Sequence, residues 1–217
     1  MPRQPKKQRS VPIHIHGNAA HNAGIYAAIG GLVVSWANNE SVFLAMLQAL
    51  TGGGSLTAAI IWQSQSTSRP RLNLVSRLAR EQIKDEKLIA DIESAVQRFN
   101  GMSRTRNYFC HAMYEYRLSD GAIMSAHAMS LSDTGHPIRA EDKKFNAATI
   151  NELNDTTMRL SLLNRELWDL VIRVQNALGV QRVQMPQWPG ADQSRPIVHP
   201  PIETGEEPLE LPPTSEG

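Results

Sequence analysis

From Asn22 to Leu50, apolar residues return at every third or fourth position: Ile25, Ile29, Leu32, Val33, Trp36, Phe43, Leu47 and Leu50. That spacing predicts one long helix with a buried stripe. Gly30 and Gly31 in its middle mark a place where another helix can cross closely. The segment "TGGGS", residues 51–55, stops it. A short helix over about residues 56–63 is expected next, then one opened by Pro70 and running to Ile83, with Leu72, Val75 and Leu78 on one side. A fourth helix, from about Asp85 to His111, carries Leu88, Ile92, Val96, Phe99 and Met102 on one stripe, and Asn100–Gly101 is a candidate kink.

The period then changes. "HAMYEYRLSDGAIMSAHAMSLSD" holds two alternating runs around "SDG", which predicts a hairpin over about residues 112–130. His127 lies in the second run and reads as a satisfied or exposed strand histidine. Residues 132–148 read as polar loop. Leu153, Leu160, Leu163, Leu167, Leu170, Val171, Val174 and Leu178 predict a last helix over about residues 150–178, ended by Gly179. The expected fold is mainly α: an antiparallel helical bundle over residues 22–179, with a small β-hairpin appended after the fourth helix.

The ends differ from this core. Residues 1–21 form a polar lead-in; its first ten carry four basic residues and no acid. Beyond Gln181 lie eight of the thirteen prolines, and residues 201–217 carry five glutamates and no base. This Pro/Glu-rich tail, residues 180–217, is expected to be disordered and outside the fold. With 217 residues, 41% of them apolar, the chain suffices for one packed domain plus tails. Net charge is +1, and residues 11–180 hold 16 basic against 15 acidic side chains, so a polyanion site must be a local cluster.

The single cysteine, Cys110, excludes an intramolecular disulfide and a cysteine-rich metal site, and fits a cytoplasmic location. The most apolar stretch, residues 23–37, is short for a bilayer span and continues in helical spacing, so it reads as a core helix with no membrane role. His14, His16 and His21 have no carboxylate or cysteine close in sequence and read as a surface or flexible segment. No phosphate-binding loop, HExxH or GxSxG motif is present, which leaves ATPase, zincin and serine-hydrolase functions without motif support.

The distinctive chemistry lies at the end of the fourth helix, in "SRTRNYFCHAMYEY", residues 103–116. On an ideal helix Arg106 falls in register with Leu88, along the apolar stripe. Arginine is a core residue only when paired. Asn107 and His111 are i and i+4 and can touch; Arg104 and His111 are i and i+7, nearly stacked. Arginine grips a phosphate with two prongs, and histidine moves protons near neutral pH. RNA supplies its own nucleophile, the 2′ hydroxyl, so cleavage needs orientation, charge stabilisation and proton transfer but no metal. The simpler alternative is an arginine ion-paired with Glu40 and a histidine that caps the helix or faces solvent.

"RNYFCH" resembles the Arg-Asn-x-x-x-His form of the Arg-x(4–6)-His motif of the HEPN superfamily (higher eukaryote and prokaryote nucleotide-binding domains). The context is similar too: an early helix carries "WANNE", the motif closes a later long helix, and a last helix completes the bundle. The resemblance covers about residues 22–179. It implies a homodimer in which Arg and His of two subunits face each other, and catalytic members are endoribonucleases that use no metal and no cofactor. By that resemblance Arg106 orients or neutralises the scissile phosphate and His111 assists proton transfer. Asn107 is the polar residue that commonly follows the arginine, and Glu40 is the first-helix acid that holds it. Arg104 to His111 also satisfies the spacing; Arg106 is favoured because Asn107 follows it. RNA and an antitoxin or other protein are the implied partners, in a toxin or defence setting. Two other classes stand beside this one: a non-catalytic helical dimer that binds a protein or nucleotide, and a structural accessory protein whose tails make contacts.

Overall fold

The computed structural model describes residues 18–131 and 137–180; the lead-in with His14 and His16, and the Pro/Glu-rich tail, lie outside the described residues. Along the chain come α1 (Ala19–Thr51), α2 (Ser55–Gln63), α3 (Ser68–Gln82), α4 (Glu86–His111), β1 (Met113–Tyr116), β2 (Ile123–Leu131), β3 (Pro137–Lys144) and α5 (Ala147–Leu178). The fold is a mainly α bundle with a small antiparallel sheet inserted between α4 and α5.

Local chemistry sets the helix ends. Gly52 adopts the left-handed conformation, φ 60°, that closes α1. Asp85 caps α4, its carboxylate accepting from the backbone N–H of Lys87 at 2.9 Å and Leu88 at 3.1 Å. Asn146 caps α5 by accepting from the N–H of Thr149 at 3.0 Å. α1 begins three residues before the expected Asn22, and α4 runs unbroken through Asn100 and Gly101.

The predicted stripes are the core. Leu32, Trp36, Phe43 and Leu47 of α1 are buried against Leu88, Ile92 and Phe99 of α4 and the leucines of α5. Trp36 stacks on Phe99 with ring centroids 4.0 Å apart, and Phe43 packs on the same ring at 5.2 Å. α4 runs antiparallel to α5: Arg98 pairs with Glu166, and Arg173 Nη1 lies 2.8 Å from Asp91 Oδ2. α1 and α5 share one direction. Residues 20–25 adjoin residues 145–150, a Cβ at Gly31 would meet Thr157 Cγ2 at 3.7 Å, and Asn39 donates to the Leu160 carbonyl at 3.0 Å. The close crossing therefore falls at Gly31, while Gly30 faces open space.

The hairpin forms where the period changed, with Gly121 at φ 68° in its turn. One expectation is corrected. Residues 137–144, read as loop, form a third strand paired to β2 from Ser125↔Lys144 to Leu131↔Pro137, with a register shift between Ala128 and Met129. "PIRAEDKK" has charge where an inner strand alternates apolar residues, so its sequence signal is that of a protected edge. Proline at its first position is compatible with an edge strand. The sheet is fastened to the bundle by Asn22, which donates to the Gly121 carbonyl and accepts from the Ile123 N–H, both at 2.9 Å. Tyr108 of α4 donates to the Ala126 carbonyl at 2.6 Å. The Tyr108 bond holds the last turn of α4 to the sheet.

Among the described residues no single helix is long and apolar enough to cross a membrane; α1 and α2 reach that measure only as a pair bent by 118°.

Candidate functional site

The buried stripe of α4 continues past Met102 to position 106, where the side chain is an arginine. Arg106 is half-buried, and its guanidinium carbon lies 5.6 Å from the centroid of the Trp36 ring. The ring face attracts the cation, worth about 0.5–2 kcal/mol according to desolvation. Arg106 Nη1 donates to Asn107 Oδ1 at 2.9 Å. Arg106 Nε is buried with no hydrogen-bond partner, and so is Trp36 Nε1 beside it. Among the described residues no carboxylate pairs with Arg106.

Burial without an acid sets Arg106 apart from Arg71, the other half-buried arginine among the described residues. Arg80, Arg98, Arg117 and Arg173 each pair with an acid. Arg71 has three kinds of partner: it donates to the carbonyls of Trp62 at 3.0 Å and Gln65 at 3.1 Å, lies over the Trp62 ring, and sits 3.7 Å from Glu40.

Glu40 therefore does not take the place expected from the resemblance. Its carboxylate accepts from Ser68 Oγ at 2.6 Å and faces Arg71, so it anchors the start of α3. The "WANNE" segment is a junction. Trp36 carries Arg106 of α4, buried Asn39 bonds α5, and Glu40 bonds α3.

His111 is exposed as the last residue of α4, with no hydrogen bond to another described residue. Asn107 is exposed and engaged with Arg106, so the expected Asn107–His111 contact is not formed. Arg104 is exposed on the face of α4 that also bears His111. The end of α4 thus presents a guanidinium fixed by a ring, an amide carbonyl and an unengaged imidazole. His21 is exposed, and its Nε2–H donates to the Ile123 carbonyl at 3.1 Å.

His127 proves satisfied. Its Nδ1 lies 2.6 Å from Asp142 Oδ1, and its Nε2 lies 3.0 Å from Glu115 Oε2 and 3.1 Å from Ser125 Oγ. Ser125 is buried and gives its own proton to Glu115 at 2.7 Å, so it is no activated nucleophile. The four residues occupy paired positions on three strands and tie the sheet together. Among the described residues no three His, Cys, Asp or Glu side chains form a group able to hold a metal ion.

Sequence reasoning treated Trp36 as core and missed its second task as the platform for Arg106. The available signal was the alignment of Arg106 with Leu88. In comparisons with known proteins, no family model, no curated protein and no solved structure matches the chain.

Proposed function

We propose that the protein is a HEPN-like, metal-independent endoribonuclease that works as a twofold homodimer. The observation that carries this reading is Arg106: a half-buried cation, held on Trp36, with no acid paired to it among the described residues. A buried charge is costly unless it is paired. A phosphodiester group would supply the missing charge at the site where the resemblance puts the scissile phosphate.

The reaction needs only what the RNA and these side chains provide. The 2′ oxygen attacks phosphorus, and the bond from phosphorus to the 5′ oxygen breaks. The 2′ hydroxyl proton leaves to a base, and the departing 5′ oxygen takes up a proton. The products are a 2′,3′-cyclic phosphate and a 5′ hydroxyl. His111 exchanges the proton, Arg106 compensates the phosphorane charge, and Asn107 orients the guanidinium. One imidazole cannot be base and acid at the same instant, so a second copy of His111 from the partner subunit completes the pair. The exposed side of α1 suits that partner. Tyr26, Val33, Val34 and Ala37 are exposed there, and no Asp, Glu, Lys or Arg occurs from Ala19 to Asn39. An inhibitory antitoxin is the protein partner this activity calls for.

The test is cleavage of single-stranded RNA in EDTA by wild type, Arg106→Ala, Arg106→Lys and Arg104→Ala. Arg106→Ala is expected to lose most activity. Arg106→Lys keeps charge but lacks the planar two-pronged grip, so it should also fall steeply. A deeper loss in Arg104→Ala than in Arg106→Ala would move the phosphate role to Arg104. A wild type that cuts no RNA and yet sediments as a dimer would leave the non-catalytic binding module in its place.

A further inference from the structure

A groove of about 400 Å³ runs between α3 and α4, and its charge is lopsided. Arg69, Arg77 and Arg80 line it from α3, with Glu93 of α4 as the one acid. The remaining polar lining is mostly amide, from Asn73, Gln97 and Asn100. Arg80 is paired with Glu93, but Arg69 and Arg77 are exposed and have no hydrogen bond or ion pair among the described residues. Its volume falls within the range of small-molecule sites, but those are apolar and enclosed, whereas this groove is polar and open along its length. A charged chain fits that description better than a compact ligand.

The direction of the groove matters as much as its charge. α3 and α4 are antiparallel across Arg80–Glu93, so Arg69 lies toward the C-terminal half of α4. The polar α4 residues facing the groove, beside Val96, are Glu93, Gln97 and Asn100. Steps of three and four residues carry that same helical face on to Arg104, Asn107 and His111. α3 begins at Ser68, where Glu40 anchors it, and beyond that point Arg104, Asn107 and His111 of α4 are exposed. The track leads from the arginines of α3 to the end of α4.

We infer that this groove binds the phosphate backbone of single-stranded RNA and delivers it to the Arg106–His111 end of α4. The inference rests on the ribonuclease reading for where the track leads, but the groove's own binding is measurable apart from cleavage. Arg69 and Arg77 contact phosphates, the amides contact sugar or base edges, and Glu93 limits affinity by holding Arg80 and repelling the backbone. A chain whose core is close to neutral overall thereby acquires a local polyanion site.

The experiment measures fluorescence anisotropy of the full-length protein with a labelled 2′-O-methyl oligoribonucleotide, which lacks the nucleophile and cannot be cut. Wild type should bind in a salt-dependent manner. Arg69→Ala/Arg77→Ala should weaken binding by roughly tenfold at low salt and flatten the log–log salt slope by about 1.4, two single-strand phosphate contacts. Glu93→Gln should tighten binding, a gain that a misfolded variant would not produce. Arg165→Ala on α5, outside the groove, should bind as wild type does. Equal binding by wild type and the double variant overturns the groove, as does a wild type that binds no oligonucleotide. Parallel cleavage of unmodified RNA, with His111→Ala as control, separates the two ideas. Groove-dependent binding without any cleavage keeps the track and sinks the nuclease; cleavage that survives in the double variant at the wild-type rate does the reverse.

Discussion

Arg106 rests on Trp36, and Trp36 rests on Phe99, so a half-buried cation is joined through one indole to the centre of the hydrophobic core. The indole is almost completely buried, so the surface on which the guanidinium rests is held by the core. A flexible surface arginine would have to be ordered by substrate at an entropic cost; this one is ordered beforehand.

Trp36 therefore has two tasks that substitution can separate. Trp36→Ala opens a core cavity and should cost about 3–5 kcal/mol in denaturant unfolding. Trp36→Phe retains most of the packing and a weaker ring face. It should unfold close to wild type yet cut RNA several-fold more slowly. A Trp36→Phe variant with unaltered cleavage would show that the stack does not position Arg106.

Glu40 offers the contrasting case. Its bonds to Ser68 and Arg71 assign it to the anchoring of α3. Glu40→Ala leaves Arg71 half-buried without its acid and should cost about 1–3 kcal/mol. The defect should appear in thermal or denaturant unfolding rather than in cleavage by the folded fraction. Lost cleavage at unchanged stability would restore the role that the resemblance gives this acid.

How far these features were legible in the sequence depends on the element. Leu88, Ile92, Phe99 and the leucines of α5 announced their helices because one buried face imposes one period. β3 carried no such period, because this charged edge strand is held by backbone pairing and by polar contacts such as Asp142 to His127, which impose no apolar alternation. Arg106 was visible as a charge on an apolar stripe. The partner of Glu40 was not, since helical spacing does not say whether α3 or α4 packs against a carboxylate one turn beyond Trp36; the structure puts Ser68 and Arg71 of α3 there. The arginines of α3 were in plain view, but their groove exists only once α4 lies antiparallel to α3.

Tyr114 supplies a pH signature. Burial, helped by the nearby Cys110 thiol, pushes its phenol up to about 12. Its hydroxyl donates to the Phe109 carbonyl at 2.5 Å, a bond only the protonated form can make. The folded value lies above the ordinary value of about 10, so the contribution is complete below pH ~10 and is lost as pH rises through about 12. Phenolate absorbance should show a late-titrating component near pH 12 that is absent from Tyr114→Phe. Ionisation of Tyr114 near pH ~10 in the folded protein would refute this.

Gly101 sits within α4 with open space where a Cβ would point. Gly101→Ala should raise stability by about 0.5–1 kcal/mol, through the unfolded chain's lost freedom, without altering RNA binding. A destabilised Gly101→Ala would mean that the helix needs a local bend there.

The central claim is that the end of α4 cuts RNA with its own side chains. The most direct measurement is the chemistry of the cut ends after incubation with single-stranded RNA in EDTA, for wild type beside His111→Ala. Wild type should leave 2′,3′-cyclic phosphate and 5′ hydroxyl ends. His111→Ala should be slower by about 10²–10⁴-fold while keeping its helical signal and its assembly state. Cleavage that persists undiminished in His111→Ala, or that vanishes from wild type when metal is removed, would contradict the account.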